Sequence, residues 1–379
     1  MKRILCVLVA LAVGLCCCVP VAASPLSQAL PTVSAQSAIL VNAEDGTVYF
    51  SKNADAPLGM ASTTKLMTAL CAAEACEPEQ LVTVSPQAVG VEGSSVYLVA
   101  GEQLTMRELL YALLLSSAND AAAAIAIEID GSVERFAERM NRRAADMGLC
   151  STHFTNPHGL YDENHYTTAA ELAVLAAEVL RIPLLREIVG TYKTTISHDG
   201  KPDTRLLVNH NKLLRTYEGA IGMKTGFTKK TGRALVSAAE RDGLTLIAVT
   251  LNAPDDWRDH TAMLDYGFAS YEKVTLCAAG SFLFHLPVTG GEEEHVTLTN
   301  LTELTLTLPK EREEPRYTVT GTSRFWFAPV KEGDAFGTVT ISCEGKSVSS
   351  PLIAAHAVSE LSSPKKSAWE RIRDFFTAE

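Results

Sequence analysis

Residues 59–70 read "GMASTTKLMTAL" and place Ser62 three positions before Lys65. The residues that follow are strong helix formers, so they predict a helix that begins here, with Ser62 or Thr63 as its N-cap. Residues three apart lie on one face of a helix, which puts the lysine beside the serine. A serine hydroxyl becomes a good nucleophile only when a base takes its proton. The stretch therefore indicates either a helix cap with a solvated lysine nearby or a nucleophile with its base one turn away.

Strand patterns lie on both sides of this helix. Residues 37–52 alternate into and out of Asp45-Gly46, which is a hairpin signal, and further strand patterns return between residues 219 and 252. Helical patterns fill the middle of the chain. This order predicts an α/β (α+β) domain with a mixed helical region and an antiparallel sheet that its terminal strands share. From Tyr271 to about Val358 the apolar residues have period two, which predicts a small all-β domain.

The two ends of the chain have patterns of their own. Lys2 and Arg3 precede an apolar run and the small residues that end at Ala23, which is typical of a secretory signal peptide. Residues 359–379 place Trp369 and Phe376 at helical spacing, which indicates either a helix lying on a membrane or a short docking helix. We therefore divide the chain into a signal peptide (1–23), a first domain (24–270), a β domain (271–358) and a tail (359–379).

Composition excludes several classes of function. The net charge is -11, which does not favour a nucleic-acid partner. An odd number of cysteines follows the signal peptide, and no two of them have C-x-x-C spacing. This argues against a disulfide framework and a zinc site. The chain also lacks P-loop, dinucleotide-binding and H-E-x-x-H patterns. No metal or cofactor is expected.

Two further motifs complete a possible site. Ser117 and Asn119 lie between two predicted helices, where their side chains can point into a cleft. Lys224, Thr225 and Gly226 end a predicted strand, and the glycine lets a ligand backbone approach closely. A second cation near Lys65 would lower its pKa and make it a base.

Each motif also occurs elsewhere in the chain, in a different setting. S-x-x-K recurs in the polar tail, S-x-N recurs at residues 51–53 and K-T-G recurs at residues 230–232. The second K-T-G falls in a turn, and its residues are typical of turn chemistry. The order and context of the motifs, rather than any single one, therefore decide the interpretation.

The three motifs occur in the order that penicillin-binding proteins and class A β-lactamases share. Long stretches, such as "LTMRELLYALLLSSANDAAAAIA" and "GAIGMKTGFTKKTGRALVSAAERDGLTLIAVTLN", resemble the D-alanyl-D-alanine carboxypeptidases among low-molecular-mass penicillin-binding proteins. The resemblance covers about residues 35–271, and the β domain resembles the family more loosely. Ala118 stands where the β-lactamase motif S-D-N has aspartate, and no E-x-x-L-N stretch occurs. The sequence therefore departs from class A β-lactamases.

The resemblance implies a role for each motif. Ser62 would be the acylated nucleophile and Lys65 its base, with Ser117 and Asn119 completing the proton network. The terminal carboxylate of the substrate would bind Lys224, Thr225 and Arg258, and Gly226 would bind the substrate through the close approach of its backbone. The backbone amides of Ser62 and Phe227 would form the oxyanion hole. His158 is expected to be a structural loop residue.

The implied reaction removes the terminal D-alanine from a peptidoglycan stem peptide that ends in D-Ala-D-Ala, with β-lactams as covalent inhibitors. The protein is expected to be exported and to work at the outer face of the bacterial cytoplasmic membrane or in the wall. Peripheral membrane contact through the tail is one interpretation. Two alternatives are a serine β-lactamase and a non-enzymatic wall-binding protein whose β domain is the working part.

Overall fold

The computed structural model describes residues 29–198 and 201–362, together with Trp369. The predicted signal peptide and most of the predicted tail lie outside the described residues. Within the described ranges, no helix combines the length and the apolar character needed to cross a bilayer.

An antiparallel sheet forms the centre of the first domain. The strands are β1 (Ser37–Asn42), β2 (Val48–Lys52), β3 (Leu81–Thr83), β4 (Gln103–Thr105), β5 (Lys193–His198), β6 (Lys201–Val208), β7 (Ala220–Thr228), β8 (Gly232–Arg241) and β9 (Leu244–Leu251). Five of them pair in the order β2-β1-β9-β8-β7. The early hairpin therefore joins the late strands, as predicted, and β7 forms one edge of the sheet.

Helices cover both faces of this sheet. They are α1 (Lys65–Ala75), α2 (Met106–Leu115), α3 (Asn119–Asp130), α4 (Val133–Asp146), α5 (Ala169–Arg181), α6 (Pro183–Gly190), α7 (Leu213–Thr216) and α8 (Asp256–Ser270). Alternate residues of β8 face opposite sides. Val236 and Ala238 pack into the large core with α1–α6, whereas Leu235 and Ala239 pack into a smaller core with α7 and α8.

The second domain is all β. Its strands are β10 (Tyr271–Cys277), β11 (Leu283–Thr289), β12 (His295–Asn300), β13 (Leu304–Pro309), β14 (Arg316–Thr320), β15 (Trp326–Phe327), β16 (Ala335–Cys343) and β17 (Lys346–Ala354). Six of them form a sheet in the order β14-β16-β17-β12-β11-β15, and β10 pairs with β13. Buried residues such as Val339 and Ile341 alternate with more exposed ones, so the period-two pattern arises from a one-sided core.

Local details differ from the sequence predictions in two places. Ser62 is not a helix cap, because it lies in a 3-10 turn (Ala61–Thr64) and the N-cap of α1 is Thr64 without a side-chain capping bond. The β5–β6 hairpin was absent from the predicted elements. Its residues carry many polar side chains and few alternating apolar ones, so the period-two signal there is weak.

Candidate active site

Ser62 and Lys65 are fixed at the junction between the 3-10 turn and α1. Lys65 is the first residue of the helix and is completely buried. Its Nζ lies 3.1 Å from the Ser62 Oγ. A distance of this size lets a proton pass directly between the two atoms. The sequence spacing therefore produces the predicted contact, and the serine hydroxyl is occupied by the lysine rather than by a capping bond.

The Lys65 amine has two further contacts, both with oxygen atoms. It lies 2.7 Å from the Asn119 Oδ1 and 2.5 Å from the backbone oxygen of His158. The amide of Asn119 is oriented by its nitrogen, which donates to the backbone oxygen of Glu92. A neutral amine has two hydrogens and one lone pair. Because two contacts are pure acceptors, a neutral Lys65 directs its lone pair to Ser62, whose hydroxyl then donates to it.

Electrostatics favours this neutral form. Burial lowers the pKa of Lys65 well below its ordinary value, and the nearby Lys224 lowers it further, while Asp120 opposes the shift. Burial also lowers the pKa of Lys224 to about 7. An ammonium group removed from water loses its hydration, so the deprotonated form is favoured. The direction of this shift favours the uncharged amine, which is the form that a general base requires.

Ser117 and Asn119 lie where α2 ends and α3 begins. Ser117 has a φ of 58°, a left-handed conformation that is rare for serine, and it is nearly buried. The backbone N–H of Asn119 donates to the Ser94 oxygen at 2.7 Å. Next to it, the buried Asp120 accepts hydrogen bonds from Ser95 and from the backbone of the same loop. These contacts hold the inter-helix connection and the loop before it as one side of a cleft.

The loop that contains His158 supports the base from the other side. The Thr68 hydroxyl donates to the Pro157 oxygen at 2.6 Å. Thr64 contacts the Nε2 of His165 at 2.7 Å. Burial lowers the pKa of His158 to about 3 and that of His165 to about 4, so both rings are neutral near pH 7. His158 acts on Lys65 through its backbone oxygen, which agrees with its prediction as a structural loop residue.

Strand β7 brings the third motif to the same place. Lys224 is buried, and its Nζ donates to the backbone oxygen of Thr225 at 2.9 Å. A Cβ at Gly226 would lie 3.0 Å from the Ser62 backbone nitrogen, so the strand passes very close to the serine. Only glycine permits this approach without displacement of the strand. The structure therefore places Lys224, Thr225 and Gly226 beside Ser62, as predicted.

These elements enclose a cleft of about 370 Å³. Five predicted residues line it: Ser62, Ser117, Thr225, Gly226 and Phe227. Lys65 and Asn119 do not line the cleft themselves, but they connect to Ser62 through the contacts of the Lys65 amine. The sequence analysis missed the remaining lining residues, which are Ser94, His210, Lys212, Arg233, Asp256 and Trp257. They lie outside every motif. The sequence offers a signal for only two of them, Arg233 and Asp256, which lie at the ends of predicted elements.

Arg258 is a predicted residue that does not line the cleft. It lies on α8 one position beyond Trp257, but it is exposed and is not among the residues that line the cavity. The second K-T-G, at residues 230–232, forms the turn between β7 and β8, as predicted. Its Lys230 is exposed and lies 4.9 Å from the centre of the Tyr161 ring.

The comparisons with known proteins agree with this geometry. The D-alanyl-D-alanine carboxypeptidase family matches residues 24–255. The chain belongs to this family. The C-terminal domain family of penicillin-binding protein 5 matches residues 271–360, which include the whole β domain. The predicted fold class, resemblance and enzyme class, a serine-type penicillin-binding carboxypeptidase, are confirmed.

Individual relatives of the family match different lengths of the chain. The D-alanyl-D-alanine carboxypeptidase DacF of Bacillus subtilis is 31% identical over 332 residues, which cover 85% of each chain. A D-alanyl-D-alanine carboxypeptidase of Streptomyces sp. strain K15 is 34% identical over 258 residues, or 63% of this chain and 89% of the relative. The structure of penicillin-binding protein 5 from Haemophilus influenzae has 28% identity, a TM-score of 0.68 and coverage of 88% of this chain and 100% of its own.

Proposed function

We propose that Ser62 is the nucleophile and Lys65 the general base of a D-Ala-D-Ala carboxypeptidase that trims peptidoglycan stem peptides. The observation that supports this most directly is the 3.1 Å contact between the serine hydroxyl and a completely buried amine. Burial supplies the lowered pKa of the base, and the two acceptors on Lys65 direct its lone pair at the serine.

Acylation begins when the Ser62 Oγ attacks the carbonyl carbon of the penultimate D-alanine. The hydroxyl proton passes to Lys65 Nζ, and the carbonyl oxygen becomes an oxyanion that the backbone amides of Ser62 and Phe227 stabilise. The C–N bond then breaks. The leaving amine of the terminal D-alanine takes a proton that originates on Lys65 and passes through the Ser117 hydroxyl.

Hydrolysis of the acyl-enzyme repeats these steps with water. Lys65, neutral again, accepts a proton from the water that attacks the ester carbon, and the bond to the Ser62 Oγ breaks as the serine regains a proton. Lys224 and Thr225 hold the substrate carboxylate during acylation, because a cation and a hydroxyl next to Ser62 are suited to bind it. A β-lactam acylates the same oxygen, but its opened ring stays attached and hinders the water.

Two reactions test the proposal. The protein is incubated with an acyl-D-Ala-D-Ala peptide and, separately, with labelled penicillin, as wild type and as Ser62→Ala. Free D-alanine and a stable covalent adduct are expected for the wild type alone. Rapid turnover of a chromogenic cephalosporin without a lasting adduct would show a β-lactamase instead. If Ser62→Ala left the effect on the cell wall unchanged, the non-enzymatic alternative would hold.

Export and membrane contact belong to the proposal as well. The substrate lies outside the cytoplasmic membrane, and the amino-terminal sequence has the charge and apolar pattern of a secretory signal. The tail would lie on the membrane surface through its apolar side. Sedimentation with anionic vesicles compares the mature chain with a chain shortened after residue 362. Equal binding of the two would rule out this role of the tail.

A further inference from the structure

We propose that Arg233, rather than Arg258, binds the terminal carboxylate of the substrate. The inference rests on the function proposed above and identifies a specificity residue for it. Arg233 lines the cleft together with Ser62 and Thr225, whereas Arg258 is exposed and lies outside the lining.

The register of the sheet places Arg233 near Thr225. Phe227 of β7 pairs with Arg233 of β8, and Thr225 pairs with Leu235. Side chains at paired positions and at alternate positions share one face, so Arg233 lies diagonal to Thr225 on that face. Diagonal neighbours are about 7–8 Å apart, within reach of a long side chain. Because β7 is the edge strand, the arginine can extend past it to the cleft.

The start of α8 fixes the arginine in this position. The Nε of Arg233 lies 3.0 Å from the Oδ1 of Asp256, whose side chain is 3% exposed. The guanidinium carbon lies 6.0 Å from the centre of the Trp257 ring, which forms the other support. Asp256 is itself held, since its Oδ1 accepts the backbone N–H of Trp257 at 3.0 Å.

This arrangement leaves donors for a ligand. The ion pair with Asp256 is at Nε, which makes no hydrogen bond within the described residues, and arginine has four more N–H donors on its terminal nitrogens. The Arg233 side chain is 42% exposed, so the group is accessible from the cleft. Two parallel N–H donors match a carboxylate, which a single ammonium group does not. Lys212, also in the lining, adds a positive charge nearby.

The two arginines are compared by the same substitution, Arg233→Gln and Arg258→Gln. The measured quantity is the rate of Ser62 acylation by a penicillin and by its methyl ester, which lacks the carboxylate charge, followed by intact mass. Wild type is expected to prefer the acid. Arg233→Gln should lower that preference on the order of tenfold, because charge-assisted hydrogen bonds to the carboxylate are lost at a partly exposed site. Arg258→Gln should leave it unchanged.

Further variants separate binding from folding. Arg233→Lys keeps the charge but not the planar fork, and it should retain an intermediate preference with a melting temperature close to wild type. If Arg233 only fastened α8 to the sheet, acylation by acid and ester would fall equally and the preference would remain. An equal fall for acid and ester in Arg233→Gln would overturn the inference. So would loss of the preference in Arg258→Gln, or a wild type that shows no preference.

Failure of the proposed function would look different. A wild type that releases no D-alanine and forms no penicillin adduct contradicts the proposed function itself. A wild type that does both, while Arg233→Gln and Arg233→Lys keep the full preference for the acid, contradicts only the assignment of Arg233.

Discussion

Two Lys-Thr-Gly triplets lie six residues apart in this protein and have different surroundings. In the first, at residues 224–226, the lysine is buried and the glycine touches the backbone of Ser62. In the second, at residues 230–232, the lysine is exposed and the glycine turns the chain from β7 into β8. The difference shows that burial and neighbours, rather than residue type, give a lysine its chemistry. Paired substitutions in the two triplets test this.

The lysines should show the largest contrast. Lys224→Ala removes a cation beside the serine, and we expect the second-order rate of acylation by penicillin to fall on the order of 10²–10³-fold. Lys230→Ala, at an exposed site, should change the rate less than about twofold. Stopped-flow or gel measurements of the covalent binding of labelled penicillin provide the acylation rates. Similar losses in both variants would show that the triplets do not differ in function.

The pH dependence of stability should separate the same two lysines. Lys224 has a pKa of about 7 in the folded protein, against 10.5 for the ordinary group. Between these values the unfolded chain binds more protons, so the free energy of unfolding rises with pH and the cost of burial is greatest below about pH 7. Replacing the buried lysine removes this cost, which is about 1.4 kcal/mol per pKa unit.

Lys224→Met should therefore be more stable than wild type at pH 6, by a few kcal/mol. The gain should shrink as pH rises toward 10. Lys230→Met is the control and should follow the wild-type curve. Urea unfolding at several pH values measures the free energies. Parallel curves for wild type and Lys224→Met would contradict the lowered pKa.

The glycines should separate activity from stability. A Cβ at residue 226 would lie 3.0 Å from the Ser62 nitrogen and 3.1 Å from the Met60 oxygen, so Gly226→Ala displaces β7 by a few tenths of an ångström. We expect about a tenfold loss in acylation with little change in melting temperature. Gly232 has a φ of 71°, which alanine adopts at a cost of about 1–2 kcal/mol, and a Cβ there would also clash with the Oδ1 of Asn252, which must move. Gly232→Ala should lower the melting temperature and keep the acylation rate.

The threonines should show the smallest contrast. Thr225 lines the cleft, whereas the Thr231 hydroxyl lies 2.8 Å from that of Thr228 within the turn. Thr225→Val should raise KM for a D-Ala-D-Ala peptide about fivefold, since one hydrogen bond contributes about 1 kcal/mol. Thr231→Val should cost a similar free energy of unfolding without a change in KM. An unchanged KM for Thr225→Val would remove this hydroxyl from substrate binding.

Local signals explain which features the sequence could predict. Ser62 and Lys65 lie three residues apart on a strongly helical stretch, so their contact follows from helix geometry. The shared sheet follows from strand patterns at both ends of the domain. Arg233 could not be found in this way, because its contact with Asp256 joins residues of two elements whose packing depends on the tertiary fold. The resemblance indicated Arg258 instead, one residue from the cleft-lining Trp257.

The position of β7 at the rim of the sheet has a consequence for substrate selection. An outermost strand leaves every second main-chain donor and acceptor without a neighbouring strand, and in this protein Thr225, Gly226 and Phe227 of that strand line the cleft. An extended peptide can align there as a sixth strand and form a ladder of amide contacts that does not depend on its side chains. Recognition of that kind tolerates variation along the peptide and leaves discrimination to its carboxyl end.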